Sequence, residues 1–374
     1  MKRGSTVLSI LGLLVTISLP AIAEAARDPV LEGYRDYRVY GCSDCHAANP
    51  VYGDVVSSAS TVEGLLSAIR RVPEMNARYA STLALGATKR QDIAAYIALV
   101  TGTPPQVNYT GLWWASPPGS ESGWGISFAH QGDVIFATWF TYDATGKAWW
   151  LSMRAGRAGT DTYGGTLYES HGPPFNAVPF DQSRVTRKAV GSATLTFTDP
   201  ETAQFAYTVN GVSQTRTLVR EVFADPVSVC AFGIPMLPWA VNAQGVWGAW
   251  PAGSESGWGL HLTEQGDVIF ATWFTYDVDG TPTWLSGTAY PGSGFGGPHW
   301  MGTLYRTTGP PFSSVPFDPA QVVEMPAGTF QLGHFSDDPA TADFDFTSNG
   351  SLPEGDVYRV IAREVFVRPG TYCR

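Results

Sequence analysis

The sequence predicts a multidomain chain in which a small all-α segment precedes two homologous all-β domains. Each β domain reads most simply as an eight-stranded up-and-down barrel, with a sandwich as the alternative. Three observations carry this expectation. Composition changes near Gly102-Thr103-Pro104-Pro105: the part before it is rich in Ala and Arg with helical spacing, and all 13 Trp follow residue 112. Five blocks then occur twice: GSESGWG at 119–125 and 253–259, QGDVIFATWFTYD at 131–143 and 265–277, GTLY at 165–168 and 302–305, GPPF at 172–175 and 309–312, and REVF at 220–223 and 363–366. Between the turn signals lie short, strand-like stretches. The implied boundaries are a leader at 1–25, an α segment at 26–102, linkers at 103–109 and 231–243, and β repeats at 110–230 and 244–374.

The leader has the form of a signal peptide. Lys2 and Arg3 precede an apolar run from Val7 to Leu19, Pro20 closes it, and Ala21-Ile22-Ala23 and Ala23-Glu24-Ala25 both fit a cleavage site. The run is short of the ~20 residues that a spanning helix needs. No later stretch is apolar enough to cross a membrane, so the mature chain is expected in the periplasm or secreted, without stable membrane insertion. The net charge is −10 and all of the excess acid follows residue 102, which argues against a nucleic-acid partner.

The α segment carries Cys42-Ser43-Asp44-Cys45-His46. Two thiols one helical turn apart can each add to a haem vinyl group, and the adjacent His is then held under the iron. A zinc site would need a second ligand pair, and 26–102 contains no other Cys or His. A redox dithiol would need a βαβ surround, which is absent. Helix-start signals surround the motif: Asp28-Pro29, a capping box at 60–63 and another at 88–91. Three short helices around a C-x-x-C-H resemble the class I cytochrome c fold over about 75 residues.

That resemblance implies one covalent haem c on Cys42 and Cys45, with His46 as the proximal iron ligand. It also implies Met75 as the distal ligand, since this is the only Met of the segment and lies in the loop before its last helix. Packing in the core is the other role open to Met75. Pro50 matches the proline whose carbonyl orients the proximal His, or is a simple turn proline. If Met75 is not bound, the iron has an open site for a small ligand. Seven basic residues, Arg35, Arg38, Arg70, Arg71, Arg78, Lys89 and Arg90, either ring a haem edge and steer an acidic redox partner or are scattered solvated charge.

In the first β repeat the expected strands are 112–115, 123–130, 134–142, 148–154, 164–168, 193–198, 204–209 and 214–223. Turn spellings separate them, among them Gln131-Gly132 and the hairpin pair Asn210-Gly211; its counterpart Asn349-Gly350 heads a longer loop. The stretch 134–143 is apolar on both faces, whereas a half-buried strand alternates apolar with polar. One face can fill a barrel; the other needs a cover. The simplest cover is the second repeat, so the two units are expected to pack as a pseudo-twofold pair.

Cys230 and Cys373 each follow the Phe of a REVF block by seven residues. Equivalent positions can meet across a twofold axis, and an exported protein meets oxidising conditions, so a disulfide between them is expected; two free thiols or an intermolecular link are the alternatives. No histidine of the repeats is matched between copies, which disfavours a duplicated metal site: His130 faces Glu264 and His261 faces Ser127. Most of the matched acids sit in or beside turns. Trp124 and Trp258 stand between glycines, where a flat ligand can approach. They are the candidate ligand platforms, with Trp113, Trp149 and Trp150 as a possible mouth; filling barrel interiors and domain contacts is the alternative.

The expected function is an exported monohaem c-type cytochrome acting in one-electron transfer with an unknown redox partner. The duplicated β domain would dock or bind. The alternatives are a small-molecule or carbohydrate-binding protein with a haem reporter, and a haem-dependent oxidase or peroxidase. The repeats also resemble blocks of exported bacterial proteins, and that resemblance carries no activity with it.

Overall fold

In a computed structural model of the chain, the described residues are 107–232, 242–292, 299–337, 340–350, 355–367 and 370–373, with Arg35, Lys89 and Ile93 as isolated additions. They form two closed antiparallel barrels of eight strands each. The first runs β1 (Gly111–Ala115), β2 (Gly125–Gln131), β3 (Val134–Tyr142), β4 (Ala148–Gly159), β5 (Thr162–His171), β6 (Thr186–Asp199), β7 (Thr202–Val209) and β8 (Val212–Arg220). Each strand pairs with the next, and β1 closes on β8 with Trp113 opposite Arg220. Closure decides between barrel and sandwich, and within each barrel it leaves no strand edge unpaired.

A short strand, β9 (Cys230–Phe232), separates this barrel from the second. There follow β10 (Gly245–Ala249), β11 (Gly259–Gln265), β12 (Val268–Tyr276), β13 (Pro282–Gly292), β14 (His299–Thr308), β15 (Val323–Asp337), β16 (Ala340–Ser348) and β17 (Val357–Arg363). The last strand, β18 (Thr371–Cys373), pairs with β9.

Local chemistry sets the turns. Asn210 and Gly211 take φ of 47° and 83°, and Val209 pairs directly with Val212, as a two-residue hairpin with left-handed turn residues requires. The middle strands run longer than alternation predicts. β6 begins at Thr186, seven residues before the expected start, because Thr186-Arg187-Lys188 face solvent and carry no apolar signal. Their backbone pairs with β5 all the same, Lys188 opposite Glu169.

The barrel interiors are packed with aromatic rings. Trp113, Trp139, Phe197 and Phe205 fill the first, with Tyr109 stacked on Phe197 at 3.5 Å between centroids. Trp247, Trp273, Phe344 and Phe346 fill the second, with Trp273 edge-on to Phe344 at 5.1 Å. Arg220 lies over Trp113 at 4.9 Å and Arg363 over Trp247 at 5.0 Å, so each REVF arginine sits on its own barrel's tryptophan.

β3 has two apolar faces because it borders two cores. Ile135, Ala137 and Trp139 point into the first barrel, and Phe136, Phe140 and Tyr142 meet the second. Phe136 reaches Phe366, Phe140 reaches Phe274 and Trp284, and Tyr142 reaches Phe317. The contact is reciprocal in detail. The Trp150 indole N–H donates to the Thr275 carbonyl at 2.8 Å, and that of Trp284 donates to the Thr141 carbonyl at 2.9 Å. Gln131 and Gln265 form a second matched pair. The Gln131 carbonyl accepts from the Phe366 and Val367 N–H groups and its amide donates to the Glu364 carbonyl; Gln265 does the same with Phe223, Ala224 and Glu221.

The GPPF loops are exchanged. Phe175, after β5, enters the second barrel beside Trp273 at 5.0 Å. Phe312, after β14, enters the first between Trp139 and Trp149, at 6.0 Å and 5.5 Å. Each loop is held by its backbone: the Phe175 N–H donates to the Tyr276 carbonyl, and the Phe312 N–H to the Tyr142 carbonyl. The tails cross as well. Thr371 donates to the carbonyl of His130 in the first barrel, and Ser228 donates to that of Glu264 in the second. A disulfide joins Cys230 to Cys373 where these tails meet.

His130 and Glu264 occupy equivalent buried positions with opposite titration. His130 Nδ1 accepts from the Tyr109 N–H at 3.2 Å, and burial lowers its pKa to about 3. Glu264 accepts from the Ala243 N–H, and burial pushes its carboxyl up to about 7. The folded state therefore keeps the Glu264 proton up to about pH 7, while the unfolded chain releases it near 4.5. Between those values the folded state binds more protons, so this group makes stability fall as pH rises. Glu264→Gln cannot ionise. Its unfolding free energy relative to wild type is expected to improve by on the order of 3 kcal/mol between the two pH limits. Denaturant titrations of both proteins across that range check this; a flat difference would show that Glu264 stays ionised in the folded protein.

Candidate functional site

Cys42, Cys45, His46, Pro50 and Met75 lie outside the described residues. Among the described residues no group of three or more His, Cys, Asp or Glu is arranged to hold a metal ion, and no helix is long and apolar enough to cross a membrane. Among the described residues the barrel interiors are packed with their own aromatics and the exchanged Phe rings. Two cavities lie between the barrels.

Trp124 and Trp258 are built into this contact. Each indole N–H donates to the Glu three residues earlier in the ESGW block, Trp124 to Glu121 and Trp258 to Glu255, both at 3.1 Å. The same carboxylates hold arginines: Arg216 on Glu121 and Arg359 on Glu255. Those guanidinium groups reach across the contact, Arg216 to the Ser314 carbonyl at 2.8 Å and Arg359 to the Ala177 carbonyl at 2.9 Å. The glycine before each Trp has a positive φ, 119° at Gly123 and 130° at Gly257. A Cβ there would strike Val322 or Val185 of the opposite repeat. The glycine that offered room for a flat ligand thus makes room for the partner barrel, and both indoles are buried. Of the other Trp candidates, Trp113 is inside the first barrel and Trp150 is in the contact, while Trp149 packs on Phe312 and borders a cleft.

That cleft measures about 820 Å³ and takes equivalent residues from both repeats: Asp143 with Asp277, Lys147 with Thr281, Glu169 with Arg306. It therefore straddles the pseudo-twofold axis. Two side-chain pairs line it, His171 with Glu169 at 2.6 Å and Arg306 with Asp277 at 3.3 Å.

A second cavity, about 330 Å³, lies in one seam between the barrels. Trp114, Phe140, Phe223, Phe270 and Trp284 supply its apolar wall, and Glu221 and Glu324 its charge. The Trp114 indole N–H and one Glu221 carboxylate oxygen are buried there without a protein partner among the described residues. Burial pushes the Glu221 carboxyl up to about 7. A donor, an ionisable acceptor and aromatic faces converge on one space, which is how small-molecule sites are built. The sequence signal for this cavity is a difference between the copies: Trp114 stands opposite Gly248 and Ser127 opposite His261.

Fold and cavities together define a class: a duplicated pair of up-and-down barrels, mutually plugged and joined by a disulfide between their tails. No protein-family model and no curated protein matches the chain.

Proposed function

We propose that this protein is an exported one-electron carrier with a single haem c. The observation that carries the reading is Cys42-x-x-Cys45-His46 in a segment with no other Cys or His. Cys42 and Cys45 would bond the haem, His46 would ligate the iron from one side and Met75 from the other, and the Pro50 carbonyl would orient His46. Bound haem supplies a one-electron iron couple, and two protein ligands leave no open coordination position for oxidase or peroxidase chemistry. The paired barrels serve this reading as a stiff body that presents the haem segment and docks the redox partner.

An absorption spectrum tests it. The oxidised wild-type protein is expected to show the weak long-wavelength band of sulfur bound to ferric haem, and Met75→Ala to lack it. A wild-type spectrum without the band, or a band that survives Met75→Ala, removes the main support for an electron carrier.

A further inference from the structure

We propose that the open seam between the barrels is a binding site for a small organic cation, an ammonium group on a compact apolar body. The duplication supplies its own comparison, because the pseudo-twofold axis generates two equivalent seams. In one, His261 occupies the space, its Nε2 3.0 Å from Thr138 Oγ1 and its ring stacked on Phe136. In the other the equivalent residue is Ser127, and a cavity of about 330 Å³ remains. In the closed seam Glu364 packs directly on Gly248. In the open seam Trp114 stands at the glycine's position, and the equivalent acid, Glu221, keeps a buried oxygen with no protein partner.

The charges differ in the same direction. The closed seam carries Arg154 and Arg187, and Arg154 reaches the Phe366 carbonyl at 3.5 Å. The register of β4 and β13, and of β6 and β15, places Thr288 and Glu324 at these positions in the open seam. The open seam has thus lost two cations and gained an acid, and the groups it adds are an aromatic face and empty volume. An ammonium group matches the charge and the aromatic faces of this arrangement: it pairs with Glu221 and faces the indole and phenyl rings. An anion would meet two carboxylates, and a neutral guest would leave the Glu221 charge uncompensated.

Calorimetric titration of the full-length mature haem protein tests the proposal at about pH 8, above the value to which burial raises the Glu221 carboxyl. Benzylammonium, which carries three N–H donors, is the probe, with benzyl alcohol and benzoate as neutral and anionic controls. The cation is expected to bind with a single site, benzyl alcohol at least about 10-fold more weakly, and benzoate not at all. Glu221→Gln is expected to weaken the cation about 10-fold. Ser127→His, which installs the residue that closes the other seam, is expected to abolish binding with an unchanged near-ultraviolet circular dichroism spectrum. No cation binding in wild type, equal affinity for benzyl alcohol, or wild-type affinity in a folded Ser127→His protein would each overturn the proposal; if that variant does not fold, undiminished affinity in Glu221→Gln does so. The haem absorption test is read separately and is indifferent to the result.

Discussion

Phe312→Ala is expected to destabilise the protein by about 3–5 kcal/mol, the range for emptying a buried Phe site. The loss falls on the barrel to which Phe312 does not belong in sequence. Its ring lies against Trp139, Trp149 and Tyr207 of the first repeat, and its carbonyl accepts from the Tyr207 hydroxyl at 3.2 Å. The alanine side chain cannot reach these rings, and the loop backbone is fixed by the Tyr142 carbonyl, so the space does not collapse. Phe175→Ala mirrors it, acting on Trp273 and Phe346 in the second barrel. Denaturant unfolding followed by tryptophan fluorescence checks both. Because the two sites share no contacts, the double variant should lose the sum of the two costs. A loss below about 1 kcal/mol for Phe312→Ala would mean that the loop does not plug the barrel in solution.

Removing the Cys230–Cys373 disulfide is the second large effect. The bond closes a loop of 143 residues, long enough that releasing it should cost about 2–5 kcal/mol. Two features place the expected loss toward the lower end. The crossed tails are also held by Thr371 on His130 and Ser228 on Glu264, and the exchanged Phe loops already tie the barrels together. Thermal melts of the Cys230→Ser, Cys373→Ser double variant against wild type measure this. An unchanged melting temperature would show that the bond adds nothing to the interlock. Reductant offers a parallel route, since it opens the disulfide without a substitution.

Much of the architecture was legible because barrels announce themselves locally. Turn pairs such as Asn210-Gly211 mark the hairpins, and the doubly apolar run of β3 implied the second repeat as its cover. The exchange of the GPPF loops was not legible. A glycine, two prolines and an aromatic read the same whether the ring enters its own barrel or its neighbour's, because sequence patterning records burial and not the identity of the core. The Trp124 and Trp258 platforms show the same limit: glycine beside tryptophan signals a close approach, and here Val322 and Val185 make that approach. The open seam was obscured for a different reason. Its residues are notable for where the copies disagree, and attention to repeats selects the positions where they agree. The haem expectation rests on the C-x-x-C-H spacing alone, and Cys42, Cys45 and His46 lie outside the described residues.

The exchanged loops and crossed tails have the geometry of an isologous dimer whose two subunits happen to share one polypeptide. In a true dimer each substitution appears on both sides of the axis at once, so no change at the interface can be confined to one half. Covalent fusion lifts that restriction. One half can keep the residues that seal the assembly while the other drifts, without either barrel losing its borrowed plug. The interlock thus confers licence as well as strength: it lets a symmetric scaffold carry a single, one-sided feature.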